Sequence, residues 1–179
     1  ERVVFSDPRE RLPLRLSDFP SREVHLSARN LRPALLASCS IPFWLEAQAD
    51  LPGAPKGAYW DGGITDYHLH LDYRALLQTE SPLVLYPHFQ RQVVPGWLDK
   101  ALKHRHRASD LLSNMVLLAP HPDWVRSLPG AKLPDRNDFL KLDLTERQRR
   151  WRVAVAESQR LAEDFERLSR QASIQALPL

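Results

Sequence analysis

An α/β layered fold is what this sequence predicts, and three features of its patterning carry that prediction. Residues 83–86 and 115–119 are compact apolar runs closed by proline, as buried parallel strands are. Helix-compatible segments separate the strand-like runs, the alternation that builds strand and helix layers. Residues 145–173 form the longest regular segment, with apolar positions every three or four residues. Only four or five strands are counted, few for a complete three-layer α/β/α domain. The chain reads as the second half of one, occupying residues 1–144, with a long helix over residues 145–179 packing on it.

Taken in order, residues 2–5 form a short strand, followed by a polar, proline-punctuated loop and a second strand near residues 23–26. Residues 28–37 suit a helix, with Asn30 near the cap and Pro33 tolerated in the first turn. Ser40-Ile-Pro42 stops it. Residues 51–57 are a Pro/Gly turn region, and residues 58–60 are a short strand that runs into Asp61. Residues 97–103 and 122–128 read as short helices. In the last segment Trp151, Val155, Ser158, Leu161, Ala162, Phe165, Leu168 and Ala172 mark one buried face, with Thr145 as the cap. A helix of about 28 residues would run roughly 42 Å.

Composition narrows the classes. At 179 residues the chain suits a single domain with a sizeable core. It is 43% hydrophobic and 26% charged, and no apolar run approaches a membrane span. The net charge of +3 gives nucleic-acid binding no support. The opening residues, Glu1-Arg-Val-Val-Phe-Ser-Asp-Pro, hold no long apolar signal region. Cys39 is the single cysteine, so an intrachain disulfide and a cysteine-rich zinc site are both excluded. It has no visible activator and reads as buried and inert. A reducing, cytoplasmic setting fits, with peripheral contact at a membrane.

Three constellations could carry chemistry. In Tyr59-Trp60-Asp61-Gly62-Gly63 an apolar run ends in an acid and paired glycines. Such glycines turn sharply and leave the carboxylate uncrowded. The plain alternative is an ordinary Asp-Gly turn between strands. In Asp66-Tyr-His-Leu-His-Leu-Asp-Tyr73, an extended backbone would set Asp66, His68, His70 and Asp72 on one face. His68 and His70 could then ligate zinc; the alternative is a sheet-edge or loop segment, polar side out, whose histidines bond to neighbours. Lys100, Lys103, Arg105 and Arg107 form a basic run. It could meet anionic lipid headgroups, or be a solvated loop.

Asp61-Gly62-Gly63, read with the upstream Ala37-Ser38-Cys-Ser-Ile41-Pro42 segment, resembles the patatin-like phospholipases, a family of lipid acyl hydrolases. The likeness spans residues 3–139. It is densest over residues 30–73 and in Leu85-Tyr-Pro-His-Phe89 with Pro95-Gly-Trp-Leu-Asp-Lys100, which look like a bacterial branch. The resemblance implies a patatin-like three-layer domain and a serine–aspartate dyad without cofactor or metal. It implies a catalytic role for Asp61, with Gly62 and Gly63 shaping its turn, Ser38 and Pro42 packing near the site and Ile41 filling in beside them. The implied substrate is a carboxylic ester of a phospholipid or related lipid.

Two family elements are missing. None of the six glycines is followed two residues later by serine, so there is no Gly-x-Ser-x-Gly elbow. The glycine-rich oxyanion loop is absent as well. The reading that reconciles these facts is a C-terminal part of a larger catalytic domain, inactive alone, partnered by an N-terminal part that carries the serine. The rival is a non-catalytic remnant acting as an interaction module; a metallohydrolase built on His68 and His70 is the third reading.

Overall fold

Strand β1, Arg2–Ser6, runs parallel to β2, Ser21–His25, in the register Arg2↔Ser21 through Ser6↔His25. Parallel neighbours need a long connection, and the proline-rich stretch between them supplies it. The computed structural model describes residues 1–10 and 12–177. Helix α1, Leu31–Ser38, follows with Asn30 as N-cap and Pro33 in the first turn, as the sequence predicts. Asn30 is 2% exposed, and its amide donates to the carbonyls of His25 and Pro52 while its Oδ1 accepts from the Ser27 amide. One side chain therefore ties the end of β2 to the start of α1 and to the Leu51 turn.

The short strands β3, Gln48–Ala49, and β4, Ala58–Tyr59, pair antiparallel. Helix α2, Gly63–Asp66, opens directly after Asp61. Strands β5, Val84–Pro87, and β6, Met115–Leu118, form a third pair. Val84 donates to Asn114 and His88 to Leu118, equal steps along each strand, as in a parallel ladder. The prediction of parallel strands holds here, but β5 alternates half-buried and exposed positions and is not wholly buried. The chain is mixed α/β, with its strands in three two-stranded sheets among the described residues.

Two compact units divide the chain. The first holds residues 1–86 and 92–116, and its core gathers Val24, Ala37, Leu51, Leu71, Val93, Val94, Leu112 and Met115. The second holds residues 87–91 and the described residues from Leu117 onward. It contains α3, Pro122–Ser127, α4, Asp138–Lys141, and α5, Leu144–Ser169. Asp138 is its polar hub, accepting from Trp151 Nε1 at 2.9 Å and pairing with Lys132 at 2.8 Å. The Phe139 ring meets Trp151 edge-on at 5.5 Å.

Two features of α5 correct the sequence reading. Its cap is Asp143, whose carboxylate accepts from the Glu146 amide, and not Thr145. The buried face also differs. Ala154 is the buried residue, Trp151, Leu161 and Leu168 are half-buried, and Val155 is 72% exposed. The inward line thus passes one residue before Val155. Periodicity locates an apolar stripe but not which of two adjacent positions faces inward.

Candidate functional site

Asp61 sits where the β3–β4 pair delivers the chain to the end of α1. The Ser40 hydroxyl donates to the Leu36 carbonyl at 2.9 Å, and the Ser40 carbonyl accepts the Asp61 amide at 3.0 Å. Ser40 is 3% exposed. Asp61 itself is half-buried, and its Oδ1 accepts the Gly63 amide at 2.7 Å. Among the described residues Oδ2 has no hydrogen-bonded partner. One oxygen is therefore anchored by backbone while the other is open to accept a proton from an incoming hydroxyl.

The two glycines are unequal. Gly62 has φ −61°, and a Cβ built on it meets nothing within 4 Å. A Cβ on Gly63 would stand 3.0 Å from Asp61 Oδ1 and 3.6 Å from the Tyr67 ring. Gly63 is thus the position where a side chain would push the carboxylate out of place.

Four further contacts fix the turn from the other side. The Tyr67 and His68 amides donate to the carbonyls of Pro95 and Val94 at 2.8 and 3.2 Å. Gly96 lies so close that a Cβ there would come within 2.7 Å of the Ile64 carbonyl oxygen. Its amide donates to Asp99 at 3.0 Å. Tyr86 donates to the His68 carbonyl at 2.9 Å. The Tyr86 and Pro95–Lys100 segments singled out in the sequence thus brace the segment that follows Asp61.

At the end of α2, Asp66 receives two bonds from Arg2, at 2.9 and 2.7 Å, and Arg2 forks at the same time onto Asp18 at 2.7 and 2.8 Å. Arg2 is 8% exposed. The Arg2 guanidinium donates to Asp18 and so holds its carboxyl below the usual range. Sequence reasoning missed Arg2, because a charged residue opening a strand gives no pattern signal. Ser40 was missed for a different reason: it lies between residues that drew attention as a motif.

A largely apolar cavity of about 510 Å³ opens beside the turn, lined by Leu31, Leu35, Ser38, Trp60, Gly62 and Gly63 among others. Of the expected packing residues, Ser38 is exposed on this lining, while Pro42 and Ile41 are half-buried beyond it. Ser40, and not Ser38, makes the contact with Asp61. Cys39 is exposed rather than buried, since it follows the last turn of α1.

Residues 66–73 are not an extended strand. Asp66 ends α2, and Leu69 turns the chain at φ 50°. Asp66 is engaged by Arg2, and His68 Nδ1 accepts the Val94 amide at 3.0 Å. His70 Nε2 meets the Ser109 hydroxyl at 3.0 Å. Asp72 is clamped by Arg74, which hydrogen-bonds its carboxyl and holds it at about 2. No group of three or more His, Cys, Asp or Glu able to hold a metal occurs among the described residues. Burial pushes the Tyr73 hydroxyl up to about 12.

In the basic run, Arg105 pairs with Asp99 at 2.7 Å, and Lys100 Nζ stands 4.1 Å over the Tyr67 ring. Lys103 and Arg107 are exposed. No helix among the described residues is long and apolar enough to cross a membrane. No family model, no curated protein and no solved structure matches this chain.

Proposed function

We propose that Asp61 is the general acid/base of a patatin-like serine acyl hydrolase, and that this chain is the C-terminal part of its α/β/α catalytic domain. The nucleophilic serine belongs to polypeptide outside residues 1–179. The substrate is a carboxylic ester of a phospholipid or related lipid. One observation carries the reading: Asp61 has one oxygen anchored to the Gly63 amide and the other open, next to an apolar cavity.

The steps are those of the serine–aspartate dyad that the resemblance implies. Asp61 Oδ2 accepts the serine hydroxyl proton as the serine oxygen bonds to the ester carbonyl carbon. The proton passes to the leaving alcohol as the ester C–O bond breaks, leaving an acyl-serine. Water then gives its proton to Asp61 while its oxygen attacks the acyl carbon. The fatty acid departs and the serine recovers the proton. The Gly63 amide steadies Asp61 throughout, and the apolar lining near Trp60 suits an acyl chain.

A fluorophosphonate, which tags activated serines, followed by intact-mass spectrometry of the purified protein tests where the nucleophile lies. The expected adduct is on polypeptide outside residues 1–179. An adduct on a serine of residues 1–179 would contradict the assignment. A protein that carries the N-terminal part and yet takes no adduct would favour the non-catalytic remnant.

A further inference from the structure

The first unit carries an aromatic turn beside its basic run, and neither feature is used by the Asp61 chemistry. Phe43 is 88% exposed, Trp44 71% and Leu45 54%. Phe43 holds its outward position at φ 71°, a left-handed backbone that bulky residues avoid. Its ring lies 6.4 Å from that of Trp97, which opens the 3-10 helix Trp97–Ala101. Leu98 on that helix is 69% exposed. Lys100 lies over both the Trp97 and Tyr67 rings, at 5.5 and 4.1 Å. Lys100 therefore shares a surface with the aromatic turn, and Lys103 and Arg107 follow it three and seven residues on in the same basic run.

The charge on that surface is lopsided. Asp99 is buried and answered by Arg105, so it offers little negative charge outward. Glu46 is the exposed acid beside Leu45. Lys103 and Arg107 are exposed, and no ion pair engages either among the described residues. Asp61 lies close by along the chain of contacts, because its amide bonds to Ser40, three residues before Phe43.

We infer that Phe43, Trp44, Leu45 and Leu98, with Lys103 and Arg107, form a docking surface for an anionic phospholipid bilayer. The aromatic and leucine side chains enter the headgroup boundary, and the cations meet lipid phosphates and carboxylates. Charge complementarity selects lipid over a protein partner: an apolar wedge with Lys100 beside it, continued along the chain by the exposed Lys103 and Arg107, matches an interface that is apolar inside and negative at its face. The inference rests on the hydrolase reading only for its purpose, since it gives the Asp61 turn a way to approach lipid.

Co-sedimentation with vesicles tests it without turnover. The protein is expected to sediment with phosphatidylserine–phosphatidylcholine vesicles, more weakly in high salt, and poorly with phosphatidylcholine alone. Lys103→Gln with Arg107→Gln should weaken binding about 30-fold, at about 1 kcal/mol for each cation. Phe43→Ala and Trp44→Ala should each weaken it about tenfold or more, read on samples whose circular dichroism matches the parent protein. Binding that is absent, or unchanged in all of these variants, would overturn the proposal. So would a dimer that Trp44→Ala converts to monomer without any vesicle binding, which would assign the patch to a second copy. An Asp61 that proves non-catalytic would leave a positive vesicle result standing, and failed vesicle binding would leave the Asp61 chemistry untouched.

Discussion

Gly63 and Gly62 stand next to each other in the same motif, yet the local geometry asks different things of them. A methyl group on Gly63 would press on Asp61 Oδ1 at 3.0 Å, where the carboxylate already takes the Gly63 amide. The carboxylate would have to rotate and give up that bond. Gly63→Ala should therefore lower kcat for ester hydrolysis in the intact protein by about tenfold or more. Gly62→Ala, with open space and an ordinary helical φ, should leave kcat within about twofold. Steady-state kinetics on both variants checks this; equal effects would refute the unequal roles. Ser40 belongs to the same scale, because its buried hydroxyl fixes the carbonyl that receives the Asp61 amide.

At the scale of elements, Arg2 joins β1 to the Asp18 loop and to the end of α2 through a buried double fork. Arg2→Met would leave Asp66 and Asp18 without their counter-charge. The expected cost is about 3 to 5 kcal/mol in urea denaturation. Arg2→Lys should recover only part of it, since a point charge cannot fork onto two carboxylates. A change under about 1 kcal/mol for Arg2→Met would contradict this account. Gly96 makes the complementary prediction for the Pro95–Lys100 segment. Gly96→Ala would drive a Cβ to 2.7 Å from the Ile64 carbonyl oxygen, so α2 must shift and Tm should fall. An unchanged melting curve would count against this packing.

Elements with a chemical punctuation mark were readable in advance. Pro33 and Asn30 announce α1, and Pro122 opens the segment read as a short helix, which is α3. Strand β3 was missed because Gln48-Ala49 is two residues long and carries no alternation. After Asp61, Asp66-x-His-x-His-x-Asp72 imitates a strand period, but Leu69 turns the chain and the structure takes the loop alternative, with His68 and His70 bonded to neighbours. Asp61 itself was legible through its glycines. The contacts that hold Asp61, from Ser40, and the α2 helix after it, from Gly96 and Arg2, join residues far apart in sequence and leave no local trace.

For the whole molecule, acid stability follows from carboxylates held low in both units. Arg74 holds Asp72 at about 2, and in the second unit Lys132 and then Trp151 hold Asp138 at about 2. A carboxylate ordinarily titrates near about 4. Because the folded value is the lower one, this stabilisation is complete above about pH 4 and lost as pH falls toward about 2. Thermal melts should show Tm dropping between pH 4 and pH 2, and Asp72→Asn should reduce the drop. A Tm that stays level down to pH 2 would contradict the assigned pairings.

Across both units and the surface beside the aromatic turn, the central claim remains that Asp61 transfers the proton in ester hydrolysis. The most direct measurement is kcat for a phospholipid or short-chain ester with Asp61→Asn in the intact protein, alongside circular dichroism of the same sample. The account predicts a loss of at least about a hundredfold with an unchanged fold. Near-normal turnover by a folded Asp61→Asn protein would contradict it.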